Sequence, residues 1–343
     1  MRTLLLVVFF VVIPALASAN DSAFGGRGVD LSPMRETRVR VVSEDIVLER
    51  RDEGWRVEAH YVFANPTEDP VSLQMGFPEA HCDHQDGDCF GQGGRFRELR
   101  TTVRGQPITE RDGQVAPRGE WGETLGRVYL YDVTFAPHEL VEIVHTYVYD
   151  RSPNVMGETV YYLTRTGANW NGPIERARFT IRVPERPWLV QYPREFRLVG
   201  VTETLVGPGR SKTEIVFEQT NWTPHGDLTV ELEAMHWVLD RLGCPSSPSW
   251  PETSDEDASV AMRDVPTDTL RECANAPYAA HGRPFHKRSL SRRFYHATFR
   301  TEPGMRSLPM RESATFDAGM LTYRENLYVT RLRAELARRG ARD

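Results

Sequence analysis

The chain has 343 residues, of which 40% are hydrophobic and 26% are charged. This length excludes a small domain without a core of its own and suffices for one large or two medium domains. The formal net charge is −6, yet residues 263–343 carry 16 Lys and Arg against 9 Asp and Glu, a net charge of +7 that leaves −13 for residues 1–262.

Residues 1–19 have the three parts of a cleavable secretory signal. Arg2 precedes an apolar run from Leu4 to Ile13, and the small residues Ala17-Ser18-Ala19 follow. The run is too short to cross a bilayer, which takes roughly 20 apolar residues in a helix. We therefore predict cleavage after Ala19 and an extracytoplasmic protein, periplasmic or secreted, with no transmembrane anchor after cleavage.

Hydrophobic residues recur with a period of two from about residue 37 to residue 238, which is typical of strands that are buried on one face. The clearest run has Trp55, Val57, Ala59, Tyr61 and Phe63 on one face. Asp52-Glu53-Gly54 before it predicts a hairpin turn with Ile46–Leu48 as the partner strand. Further runs are at 129–135, 140–149, 177–183, 214–217 and 228–232. We predict a mainly β fold with two antiparallel β-sandwich-like units, residues 20–152 and 153–240.

The pattern changes after Trp237. Residues 241–262 include a stretch rich in Pro, Ser and acidic residues, which indicates a linker. In the last segment, Leu321, Tyr328, Leu332 and Leu336 fall at helical spacings. We therefore predict a small α-helical domain over residues 263–343.

The four cysteines are most simply two disulfides, because their number is even and the chain is predicted to be exported. Three pairings are possible. We favour the two between nearest neighbours, Cys82–Cys89 and Cys244–Cys273.

The stretch from His81 to Cys89 holds two imidazoles and three carboxylates. His81, His84 and Asp86 are of the types that ligate a divalent cation, which leaves a metal-assisted hydrolase as an alternative function. The stretch lacks the spacing of a calcium loop or of a metalloprotease helix, so we interpret it as a polar loop pinned by a disulfide. Since the chain also lacks a nucleophile elbow and a Walker-type lysine, we predict no catalytic residue and no cofactor.

Several strings in residues 20–240 resemble exported bacterial proteins of the DUF4424 type. They include Asn20-Asp21-Ser22 with the glycines that follow, Tyr61–Asn65 and Gly76-Phe77-Pro78. The most specific is Thr166-Gly167-Ala168-Asn169-Trp170-Asn171-Gly172-Pro173-Ile174. Trp170 in this string is either a binding aromatic or a plug between two sheets, and we favour the plug.

The tail resembles the YARHG domain, a small module of exported bacterial proteins. Its string is Tyr278-Ala279-Ala280-His281-Gly282, with Ala280 in place of the arginine, and Phe294-Tyr295 follow at the expected distance. Together, the two resemblances imply an envelope protein with no established catalytic activity.

Four residues of the tail are candidates for binding: Tyr278, His281, Arg292 and Arg293. The arginine pair beside two aromatic residues either stacks on and neutralises an anionic polymer or covers a helix face. His281 is either an exposed recognition residue or a partner at a helix C-terminus. We predict a non-enzymatic envelope protein whose basic tail binds an anionic cell-wall polymer or another envelope protein, with no nucleic acid as partner.

Overall fold

The computed structural model describes residues 21–26, 31–80, 96–116, 125–153, 156–207, 210–246, 254–296, 301, 303–308, 310–314 and 316–341. Within these ranges the chain forms 18 strands and six α-helices. All six helices lie in the C-terminal part of the chain, after residue 234. The prediction of a mainly β protein with helices near the C-terminus is confirmed.

The strands are named in chain order. They are β1 Ser22–Gly25, β2 Ser32–Met34, β3 Arg40–Arg51, β4 Gly54–Ala64, β5 Val71–Ala80, β6 Arg97–Val103, β7 Gln106–Ile108, β8 Arg111–Gln114, β9 Leu125–Phe135, β10 Leu140–Tyr149, β11 Ser152–Pro153, β12 Gly157–Tyr162, β13 Ile174–Val183, β14 Leu189–Pro193, β15 Leu198–Gly207, β16 Arg210–Trp222, β17 Leu228–Glu233 and β18 Met305–Leu308.

The helices follow the same convention. They are α1 Met235–Arg241, α2 Asp255–Met262, α3 Thr267–Cys273, α4 Ala276–Ala280, α5 Arg288–Tyr295 and α6 Tyr323–Arg338, and two short 3₁₀ helices span Arg165–Asn169 and Ala318–Met320.

The strands form three sheets. Their orders are β2-β1-β5-β9-β8, then β15-β16-β13-β3-β4-β10-β6-β7, and then β11-β12-β17-β14-β18. Among the strands that the structure describes, β3 and β13 form the one parallel pair, and the other pairs are antiparallel.

The predicted hairpin of β3 and β4 is confirmed. The five alternating residues of β4 are all fully buried, and Arg51 pairs with Gly54 across the turn. Gly54 has a φ of +146°, and a Cβ there would lie 2.3 Å from the carbonyl oxygen of Tyr149. Alternation and turn chemistry are local properties, which is why this element could be predicted from the sequence.

The two predicted β units share one sheet and one hydrophobic core. Strand β13 of the second unit pairs in parallel with β3 of the first, so that Phe179 lies opposite Ile46. Trp170 is 3% exposed and lies 4.8 Å from Phe63, ring centre to ring centre, which is the plug that we favoured. The structure thus differs from two self-contained units divided at residue 153. The reason is a long-range pairing that local alternation does not encode.

The C-terminal region is also built into the β structure. Strand β18 extends the third sheet by pairing with β14, and Trp188, just before β14, is buried in the core of the helices. Part of the predicted linker is helical, because it contains α2. Met262 at the end of α2 is buried in the same core. Composition predicted a tethered domain, whereas packing makes the region a continuation of the fold.

The predicted disulfide between Cys244 and Cys273 is present, with 5.6 Å between the Cα atoms. It connects the segment after α1 to the end of α3, and both residues are buried in the helical core. The other predicted pair, Cys82 and Cys89, lies outside the described residues.

Candidate functional site: a cleft between two sheet edges

Arg292 and Arg293, which the sequence predicts to bind an anionic partner, have different surroundings. Arg293 donates to the Glu272 carboxylate and to the Leu242 carbonyl oxygen, both at 2.8 Å, and its side chain is 25% exposed. Arg292 is exposed and has no ion pair in the described part of the chain. Successive residues of a helix point about 100° apart, so neighbours in the sequence do not share a face. Arg293 joins α5 to the rest of its own region, and only Arg292 is free to meet a partner.

His281 is buried, with an exposed fraction of 2%, and lies at the C-terminus of α4. Of the two alternatives for this residue, the exposed recognition residue is therefore wrong, and the residue at a helix C-terminus is observed. Tyr278 is half-buried, and the Arg283 guanidinium lies 5.0 Å from its ring centre. His281 is covered where the tail packs against β15, and Tyr278 is partly covered by Arg283 and Phe316 of the tail itself.

The buried imidazole of His281 joins two parts of the fold. Its Nδ1 lies 2.8 Å from Glu203 on β15, and its Nε2 lies 2.9 Å from Glu325 on α6. Glu203 also pairs with Arg186 at 3.1 Å, and Glu325 accepts a hydrogen bond from the Trp188 indole at 2.8 Å. This buried network fixes the C-terminal region against β15.

The network also shifts the pKa values of His281 and Glu203. Burial alone would lower the pKa of His281, but the two carboxylates outweigh it and raise the pKa to about 9. Burial opposes ionisation of Glu203 as well, yet its hydrogen bond and charge interaction with His281 leave its pKa below the ordinary value. At neutral pH the imidazolium is therefore held between two carboxylates.

An open cleft of about 680 Å³ lies beside this network. One wall is formed by residues 198–203 of β15, and another is formed by residues 306–308 of β18 and by residues 311–313. Tyr192 and Phe196, both buried, complete the lining. We call it the arginine cleft, because five arginines line it: Arg186, Arg194, Arg197, Arg306 and Arg311.

The charge of the arginine cleft is positive. Three glutamates line it, Glu195, Glu203 and Glu312. Glu203 is neutralised by Arg186 and His281. Burial raises the pKa of Glu195 above its ordinary value. With five arginines against three glutamates, the lining has an excess of cationic groups.

Two arginines of the cleft have no side-chain partner among the described residues. Arg306 and Arg311 are exposed, and their side chains form no ion pair or hydrogen bond with any residue that the structure describes. Arg194, in contrast, donates to the carbonyl oxygen of Met305 at 3.1 Å. A second depression of about 420 Å³ shares Arg194 and Arg306 with the cleft and extends to Thr301. An elongated anionic ligand that spans both depressions can therefore contact more than one guanidinium group.

Sequence reasoning missed the arginine cleft. Its residues come from two parts of the chain, 186–203 and 306–313, which the predicted domain boundary separates. The one local signal is the short alternation Met305-Arg306-Ser307-Leu308, and four residues are too few to separate a strand from a loop.

The alternative metal site at His81, His84 and Asp86 lies outside the described residues. Within the residues that the structure describes, no group of three or more His, Cys, Asp or Glu side chains is placed to hold a metal ion. Likewise, none of the described helices is both long enough and apolar enough to cross a membrane.

Comparisons with known proteins relate the chain to a sequence family and to a fold. The DUF4424 family, a domain of unknown function, matches residues 19–124. No curated protein sequence matches the chain significantly. The YARHG resemblance stays a prediction.

Among solved structures, the chain is similar to a Legionella pneumophila protein that is described as a proposed nutrient-binding protein. The two share 19% sequence identity with a TM-score of 0.51, over 92% of this chain and 99% of that one. A zinc metallopeptidase of the M1 type from Deinococcus radiodurans is 16% identical with a TM-score of 0.30, over 58% of this chain and 43% of that one. The first similarity shows the fold alone, and the second carries no argument.

Proposed function

We propose that the protein is an exported, non-enzymatic binding protein of the cell envelope, and that it holds an anionic partner in the arginine cleft. The partner is a cell-wall polymer or another envelope protein. The observation that carries the proposal is the exposed, uncommitted pair Arg306 and Arg311 at the wall of a cleft large enough for a ligand.

Two further points support the proposal. The basic C-terminal region supplies Arg306 and Arg311, so it contributes to the positive charge of the cleft. The Legionella protein of similar fold is itself described as a proposed nutrient-binding protein, which is in keeping with a binding role. The metal-assisted hydrolase stays an alternative that no described residue favours.

The binding surface proposed here differs from the one predicted from the sequence. Arg293 is engaged within its own region and His281 is buried, so of the four residues predicted to bind only Arg292 is exposed. The arginine cleft offers a concave surface with several guanidinium groups, which suits a ligand with more than one anionic group.

The test is a binding assay on the mature protein with poly-L-glutamate and with isolated cell-wall sacculi as probes. Replacing both Arg306 and Arg311 by Ala should cost about 2 kcal/mol or more, roughly thirtyfold in Kd, since hydrogen bonds to charged groups are lost. Binding should also weaken as salt is raised.

The matched control removes the same two charges elsewhere. Arg56 and Arg100 are exposed on β4 and β6 and have no ion pair in the described part of the chain. The variant with Arg56→Ala and Arg100→Ala should bind nearly as well as the wild type. Equal losses in both double variants would mean that only net charge matters. A loss confined to Arg292→Ala would place the contact on α5 and would contradict the proposal.

A further inference from the structure

The arginine cleft is bordered by the edges of two different sheets. Strand β15 is the outermost strand of the eight-stranded sheet, and β18 is the outermost strand of the third sheet. Each pairs with a single neighbouring strand among the described residues, β16 and β14 respectively. The outer edge of a strand carries backbone N–H and C=O groups that are free to pair with an added strand.

Strand β15 lacks two residue types by which proteins protect an edge, and its one charged residue, Glu203, is paired with Arg186 and His281. Its ten residues, LVGVTETLVG, contain no lysine and no proline. Irregularities in its pairing with β16 lie only near the two ends, between Leu198 and Gly200 and between Leu205 and Gly207. The stretch from Gly200 to Leu205 is therefore a regular edge, long enough to pair with a short peptide.

Apolar side chains along this edge face solvent. Val199 is 50% exposed and lines the cleft, and Val206 further along the strand is 60% exposed. An exposed apolar edge strand favours aggregation unless a partner covers it. The edge thus combines backbone pairing groups, apolar contacts and neighbouring guanidinium groups.

The charges define the chemistry of the occupant. The excess of arginine over glutamate in the cleft favours acidic side chains, and a cationic strand would be repelled. In an extended peptide alternate side chains share one face, so acidic residues at every second position would all point towards the same wall. The remaining positions suit small apolar residues that contact Val199.

From these observations we infer that the arginine cleft takes an extended acidic segment of a partner protein, which adds as a strand to the free edge of β15. This inference rests on the proposed function and narrows its partner from any anionic component of the envelope to a peptide. Backbone pairing to an edge strand supplies affinity, and the flanking side chains supply selectivity.

The probe is a heptapeptide of alternating Glu and Val with blocked ends, titrated against the mature protein. Two analogues carry N-methyl groups, one on every Val and the other on every Glu. Because alternate amides of a strand point to opposite edges, each analogue blocks one edge of the peptide and keeps its charge. At least one analogue should bind more weakly than the parent by about tenfold or more, since tenfold corresponds to the net loss of only one or two hydrogen bonds.

Hydrogen exchange locates the pairing. The parent peptide should slow the exchange of amides between Gly200 and Leu205, and the variant with Arg306→Ala and Arg311→Ala should lose this protection. Exchange that slows elsewhere while β15 is unchanged, or parent-like binding by both analogues, would overturn the inference.

The outcomes distinguish the inference from the proposed function. If poly-L-glutamate binding depends on Arg306 and Arg311 but N-methylation has no effect, the cleft binds anions through charge alone, and only the strand addition fails. If none of the three probes (poly-L-glutamate, sacculi and the peptide) binds through these arginines, the proposed function and the inference both fail.

Discussion

At the scale of single residues, His281 connects regions far apart in the sequence. Its two ring nitrogens contact Glu203 and Glu325, which lie 78 and 44 residues away. A buried histidine between two carboxylates stabilises the fold in its protonated form, because the neutral ring would leave the carboxylates poorly paired. This residue therefore makes the stability of the protein depend on pH.

The direction of that dependence follows from the raised pKa. The pKa of His281 rises from an ordinary 6.5 to about 9 in the folded protein. The stabilisation is fully present below pH 6.5, declines as the pH rises through about 9 and is lost above it. A shift of this size corresponds to roughly 3 kcal/mol.

We expect His281→Gln to lower the free energy of unfolding by about 3 kcal/mol at pH 6 and by clearly less at pH 9.5. Urea unfolding of both proteins at several pH values measures the difference. The control is His138→Gln, because His138 is exposed and pairs with the exposed Glu68 at 3.0 Å, so its effect should stay below about 1 kcal/mol. A gap between wild type and His281→Gln that is the same at every pH would contradict the assignment.

At the scale of elements, α6 shows how local sequence and tertiary contacts combine. The helical spacing of Tyr328, Leu332 and Leu336 predicted the helix, and all three side chains are buried in the helical core. Its start is fixed by a capping box, in which the Thr322 side chain accepts from the Glu325 amide and Glu325 accepts from the Thr322 amide. Since Glu325 also contacts His281, the cap orients the carboxylate of the buried network.

Thr322→Ala should destabilise the protein by about 1 kcal/mol, because the N-cap hydrogen bond is lost. Thr322→Ser keeps the hydroxyl and should retain most of the stability. The matched control is Thr330→Ala in the same helix, where the exposed hydroxyl donates to the Asn326 carbonyl oxygen and to no other described residue. That change should be neutral or slightly stabilising, since Ala favours helix interiors. Denaturant unfolding compares the three variants, and equal effects at 322 and 330 would contradict a capping role.

At the scale of the whole molecule, the β structure and the C-terminal region form one unit. Strand β18 pairs with β14, Trp188 is buried among the helices, and His281 bonds to β15. A region built in by backbone pairing, apolar burial and a buried ion network cannot separate without exposing all three.

A fragment that spans residues 20–240 is therefore expected to unfold at a lower temperature than one that spans residues 20–343, or to aggregate. Removing β18 exposes the edge of β14, and removing the helices exposes Trp188 and leaves Glu203 without its imidazole partner. Thermal unfolding of both proteins tests this. If the fragment had the same thermal unfolding midpoint as the longer chain, residues 263–343 would be a separate domain on a linker, as composition predicted.

The sequence by itself determined the elements whose causes are local. Alternation and turn residues identified the β3–β4 hairpin and strand β10, helical spacing identified α6, and cysteine usage identified the Cys244–Cys273 disulfide. These signals work because side-chain period and turn chemistry act on neighbouring residues, while the number of cysteines is a property of composition.

The tertiary structure alone decided how these elements combine. The parallel pairing of β13 with β3, the strand β18, the buried position of His281 and the arginine cleft all depend on residues far apart in the chain. Such pairings are selected by the total apolar area buried and by satisfaction of backbone and charged groups, neither of which appears in a local window of the sequence. The candidate site thus lay where two sheets end beside each other, and only the folded chain brings those edges together.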